Sequence, residues 1–100
     1  MSALPDAHVQ QLARERAKFL ESFGFDVNFA PVADVAYTAR STMAARAFGN
    51  NPKTVAGKIS AVVEGSRDGG IGSAAKHFPG HGRTEVDSHF GLPAIDQLFK

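Results

Sequence analysis

Between Lys76 and His89 the chain reads Lys-His-Phe-Pro-Gly-His-Gly-Arg-Thr-Glu-Val-Asp-Ser-His, and three of its four histidines fall in this one segment. Histidine titrates near neutrality, so it can both give and take a proton, and a carboxylate beside it fixes its tautomer and raises its basicity. Glu85 and Asp87 supply carboxylates, while Lys76 and Arg83 supply cations. Pro79, Gly80 and Gly82 give the segment the backbone of a loop rather than of a helix. So many proton-transfer groups on one loop point to part of an active site. Asp87 and His89 stand two residues apart, a spacing that makes their pairing feasible and would put both on one side of a regular strand. His77, His81, Asp87 and His89 are also ligand types for zinc, but their spacing matches no compact zinc motif; no metal and no other cofactor is expected. His81, set between two glycines, reads as a residue that shapes the loop.

The elements that must hold this loop alternate along the chain. Met1 to Phe23 reads as an amphipathic helix: Val9, Leu12, Ala13, Leu20 and Phe23 recur at helical spacing, and Gly24 supplies the stop. Phe25 to Val32 is nearly continuously apolar, which predicts a strand covered on both faces. The stretch from Asp34 to Asn50 follows as a long loop containing Arg40, Arg46 and Phe48-Gly49. Asn51-Pro52 is a cap followed by proline at the first helical position, and it opens a second helix that should end near Asp68, before Gly69-Gly70. Ile71 to Phe78 reads as a second strand with a small-residue middle, Gly72-Ser73-Ala74-Ala75. Pro93 to Lys100 reads as the start of another helix. The alternation is that of an α/β fold with a parallel crossover, in which chemistry gathers on loops at the C-terminal ends of strands. Both polar loops leave such an end.

Composition narrows the functional classes. One hundred residues make at most one domain with a modest core. Eleven Lys and Arg against ten Asp and Glu leave a net charge of +1, which offers no electrostatic reason to bind nucleic acid or an anionic membrane. Without cysteine there is no disulfide, thiolate zinc site or cysteine nucleophile. No basic segment precedes an apolar run at the N-terminus, and no run approaches the roughly 20 residues that span a bilayer. A cytoplasmic location without a membrane segment is the expectation.

Three blocks carry a resemblance: Asn28-Phe-Ala-Pro-Val-Ala-Asp-Val35, then Arg46-Ala-Phe-Gly-Asn-Asn-Pro52, then the loop from Lys76 to His89. In that order they resemble family 3 glycoside hydrolases, and within that family the bacterial β-N-acetylglucosaminidases that trim peptidoglycan-derived sugars. Lys76 to Gly82, Thr84 and Asp87-Ser88-His89 fill the long signature of that branch. The resemblance implies a segment of a (β/α)8 TIM-type barrel, about two parallel strands with flanking helices. Because such barrels need about 250 residues, residues 1–100 are expected to be the central portion of the catalytic domain, without its N-terminal strands and without the later portion bearing the aspartate nucleophile.

The same resemblance implies roles. Asp87 and His89 match an Asp-His acid/base dyad, Lys76 and His77 match residues that bind sugar hydroxyls, and Arg46 matches a substrate-binding arginine. Asp34 matches a recurrent aspartate read here as structural. Arg83 stands where the pattern commonly has aspartate, Ala47 where it has serine, and Asn51 where it has aspartate. The implied activity is retaining hydrolysis of terminal β-linked N-acetylglucosamine, with phosphorolysis left open, and relatives occur both in the cytoplasm and as exported lipoproteins. The substrate would be the expected partner, with no nucleic acid. Two other functional classes remain beside the enzyme: a carbohydrate-binding remnant, or an assembly module that self-associates or pairs with a complementing fragment through its strand edges.

Overall fold

A computed structural model of the chain describes residues 4–78, 80–86, 89–92 and 94–95. Helix α1 spans Asp6–Ser22 and helix α2 spans Pro52–Asp68. The start of α2 is as local chemistry dictates: the Asn51 side-chain oxygen accepts from the N–H of Lys53 at 2.9 Å and of Thr54 at 3.3 Å, and Pro52 occupies a position where its missing N–H leaves nothing unpaired. The helix stops at Asp68, and Gly70 then turns the chain with φ +90°, a conformation that disfavours side chains. Helix α1 begins later than the expected Met1. Pro5 has ψ 149°, so it caps the helix from outside, and residues 1–3 lie outside the described set. The expected helix from Pro93 to Lys100 lies almost entirely outside it as well.

The two helices meet along small residues. On α2, Gly57 faces Asp6 and Gly65 faces Gln10 and Ala13, and just past its end Gly69 faces Ala17. A four-residue repeat of this kind is a ridge-into-groove contact with the ridges removed, which lets the axes approach closely. A Cβ at Gly65 would lie 2.2 Å from the Gln10 carbonyl oxygen, so no side chain fits there. Val9, Ala13, Ala61 and Val62 form the buried cluster, with Leu4 and Phe48 packed on it. Lys58 is buried at one end of this contact, where it donates to the Asp6 carboxylate at 2.7 Å and to the Leu4 carbonyl.

The strands are shorter than the sequence predicts. Strand β1 is Val27–Asn28 and β2 is Gly72–Ser73, paired in parallel with Val27 opposite Gly72 and Asn28 opposite Ser73. Pairing resumes at an isolated parallel bridge between Val32 and Lys76. Three residues therefore lie between the paired positions on the first chain segment and two on the second, a one-residue bulge. Its cause is visible in the bonding: the Ala30 N–H turns onto Asn28 O at 2.8 Å, and Ala74 N is shared between Asn28 O and Ala30 O. Pro31 has no N–H to offer the ladder. Nor is β1 covered on both faces. Phe25, Val27 and Phe29 are 57%, 50% and 73% exposed. Among the described residues no helix is long and apolar enough to cross a membrane.

Candidate active site at the strand ends

Both segments leave the sheet at the same end, and Asp34 joins them. Its carboxylate is buried, 1% exposed. Oδ2 accepts from His77 Nδ1 at 2.6 Å and from the His77 backbone N–H at 3.2 Å, while Oδ1 accepts from the His81 N–H at 2.5 Å. Burial is the largest single influence on this carboxyl and would raise its pKa. The bonds from the His77 ring and the two backbone N–H groups, together with the charge of His77, outweigh it and hold the pKa below the ordinary carboxylate value. An ionised carboxylate only accepts, so His77 Nδ1 carries a proton and Nε2 is the ring atom left to meet a ligand. The Lys76-His77 peptide bond is cis.

Above Asp34 lies a cavity of about 440 Å³ lined by Lys76, His77, Tyr37 and Arg83 among others, in the size range of small-molecule sites. The backbone of Lys76 is held by Pro31 O and the Ala33 N–H, while its side chain has no hydrogen-bond or ion-pair partner among the described residues. It is therefore a half-buried ammonium available to an oxygen-rich ligand. Arg83, where the family pattern commonly has aspartate, sets its guanidinium 3.8 Å over the Tyr37 ring, an attraction that seats the reversed charge.

The loop after β1 folds on itself by turns, not by helix or strand. Ala36 N donates to Gly49 O at 3.0 Å across its neck, and Ala36, Ser41 and Met43 are buried, as in a compact Ω-loop. Arg46 emerges from it beside a smaller cavity of about 190 Å³ that also includes Arg16, Asn28, Phe48, Val62 and Ile71. The structure thus brings Lys76 and His77 together and leaves Arg46 in the neighbouring hollow. His89 is exposed on the histidine loop, and Asp87 lies outside the described residues. Among the described residues no group of three His, Cys, Asp or Glu side chains could hold a metal ion. Sequence reasoning named Asp34 and His81 as structural, consistent with this geometry, but it missed Tyr37, Thr42 and the role of Thr84. Thr84 was visible only as one position of a motif.

The sequence model of the glycosyl hydrolase family 3 N-terminal domain matches residues 2–99. The chain belongs to glycosyl hydrolase family 3. Beta-hexosaminidase LpqI of Mycobacterium tuberculosis is 42% identical over 94 residues, which are 90% of this chain and 24% of that protein. Among solved structures, the zinc-bound CbsA of Thermotoga neapolitana aligns with a TM-score of 0.92 at 31% identity, over 98% of this chain and 21% of that one. NagZ of Neisseria gonorrhoeae, in complex with N-trifluoroacetyl-D-glucosamine, aligns with a TM-score of 0.80 at 39% identity, over 88% and 26%. This family 3 chain thus spans about a quarter of the length of LpqI and NagZ. Its fold is α/β: two parallel strands and two helices forming a segment of the TIM-type barrel of the family's N-terminal domain.

Proposed function

We propose that the chain forms the sugar-holding and proton-transferring part of a β-N-acetylhexosaminidase site, acting on terminal β-linked N-acetylglucosamine such as that of peptidoglycan fragments. The observation that carries this reading is the strand-end cavity. The ammonium-bearing Lys76 lines it beside an imidazole, His77, whose orientation a buried carboxylate fixes. That arrangement suits a sugar, whose hydroxyls accept from Lys76 and share hydrogen bonds with His77 Nε2. Arg46 is the proposed third contact, and it reaches the sugar by turning its long side chain out of the smaller cavity.

In the retaining reaction a carboxylate nucleophile, supplied by another part of the barrel, bonds to the anomeric carbon as the glycosidic C–O bond breaks. The electron pair goes to the leaving oxygen, which takes its proton from the His89 imidazolium. In the second step His89 accepts a proton from the attacking water, and the carboxylate departs. Asp87 orients the imidazole and stabilises its charged form, as the aspartate of a serine hydrolase triad does.

The chain by itself is expected to show no retaining turnover, so the test is turnover of an aryl β-N-acetylglucosaminide by a complete barrel that contains this segment together with the nucleophile-bearing portion, with the first-formed sugar read by proton NMR. The β-anomer first is the expected result, and His89→Ala should lower turnover far more than affinity. The α-anomer first, or a large loss of affinity with unchanged turnover, contradicts the assignment. A second reading, that the segment works only when a complementing polypeptide covers it, is favoured by the exposed Phe25 and Phe29 that flank β1. Turnover that appears only on adding such a polypeptide selects it.

A further inference from the structure

Five successive residues of the histidine loop each meet the segment that leaves β1. The His81 N–H donates to Asp34. Gly82 lies flat on Val35, where a Cβ would sit 1.8 Å from the carbonyl oxygen. Arg83 covers Tyr37, Thr84 meets Thr42, and Glu85 pairs with Arg40 at 3.0 Å. These contacts differ in weight. The Arg40 and Glu85 side chains are 81% and 44% exposed, and a pair so open to water contributes little. The threonines are different, because Thr84 is only 3% exposed. Its hydroxyl donates to His81 O at 2.7 Å, so in the 3.0 Å contact between the two hydroxyls it must accept from Thr42. The Thr42 backbone N–H also donates to Thr84 O at 3.0 Å. A directed chain runs from Thr42 through Thr84 to the His81 carbonyl, and the His81 N–H is itself held by Asp34.

We propose that Thr42 and Thr84 are positioning residues for proton transfer. The pair fixes the loop at Thr84, a buried point five positions before His89, and so limits where the imidazole can stand. The proposal rests on the acid/base role assigned to His89. A displacement of about 1 Å in a reacting group costs about 10²-fold in rate, and removing a buried hydroxyl from the middle of the chain frees the loop to move on that scale.

A threonine pair that merely stabilised the loop would slow every substrate alike. One that positions an acid slows substrates in proportion to how much their leaving group needs a proton. The experiment therefore measures kcat/KM, which reports glycosidic bond breaking, for Thr84→Val, Thr84→Ser, Thr42→Val and His89→Ala in the complete barrel that contains this segment and the nucleophile-bearing portion. The substrates are a methyl and a dinitrophenyl β-N-acetylglucosaminide. Thr84→Val should lose about 10²-fold on the methyl glycoside and less than about threefold on the dinitrophenyl glycoside, which departs without a proton. Thr84→Ser should restore most of the loss, because it keeps the hydroxyl. Thr42→Val removes the same link from the partly exposed side and gives the same pattern where Thr84→Val fails to fold. Equal losses on both substrates overturn the proposal. A substrate-independent loss for His89→Ala overturns the acid/base reading and this proposal with it; the expected dependence for His89→Ala but not for the threonines overturns the positioning role alone.

Discussion

Replacing Asp34 tests how the site is built, because one buried carboxylate receives three hydrogen bonds from the loop that carries Lys76, His77 and His81. In Asp34→Ala the N–H groups of His77 and His81, both partly buried, lose their buried acceptor. Breaking a buried charged contact of this kind costs about 3–5 kcal/mol, against a total stability of about 5–15 kcal/mol for a typical domain. Asp34→Asn keeps one acceptor oxygen and turns an N–H₂ toward a donor, which puts its cost at about 1–3 kcal/mol. Urea unfolding of the full chain measures the loss, and amide hydrogen exchange at His81 locates it. The pH dependence follows in sign. The folded pKa of Asp34 lies below its unfolded value, so its contribution is fully present above about pH 3.9 and is lost as pH falls through the folded pKa. The stability gap between the parent chain and Asp34→Asn should therefore be constant near neutrality and shrink below about pH 4. An Asp34→Asn variant with unchanged stability and unchanged His81 exchange would refute this account of how the loop is held.

Two further substitutions probe close backbone approaches. Gly82→Ala places a methyl group 1.8 Å from Val35 O, so the two strand-end loops must separate; in a complete barrel containing the segment, kcat/KM for the aryl glycoside should fall by about 10²-fold with secondary structure by circular dichroism unchanged, and wild-type kinetics would mean the loops are not in contact. Gly65→Ala wedges α2 off α1 at Gln10 and should cost about 1–3 kcal/mol in urea unfolding, as overpacking does; a neutral effect would contradict the close helix crossing.

What the sequence discloses divides along the range of the forces involved. Helix α2 was legible almost to the residue, because the Asn51 cap, Pro52 and the Gly69-Gly70 stop act within a turn of the helix. The alternation of elements placed the histidine loop at a strand's C-terminal end, and the family resemblance implied a structural role for Asp34. The bulge at Ala30-Pro31 was not legible, since it depends on which carbonyls Ala74 finds across the sheet. Neither was the Thr42–Thr84 link, whose partners are 42 residues apart and carry no local signal. The apolar run from Phe25 to Val32 was visible, but periodicity says nothing about what covers such a strand, and its phenylalanines stand exposed. Arg46 showed the same limit: its motif was clear, while the cavity it lines was set by the fold of the whole 34–50 loop.

The central claim is that the cavity over Asp34 holds an N-acetylglucosaminyl unit. A crystal structure of the full chain with N-acetylglucosamine tests it most directly. The sugar is expected in the cavity lined by Lys76 and His77, with hydroxyl oxygens about 2.7–3.2 Å from Lys76 Nζ and His77 Nε2. A sugar bound elsewhere while the Asp34–His77 pair stays intact would contradict it.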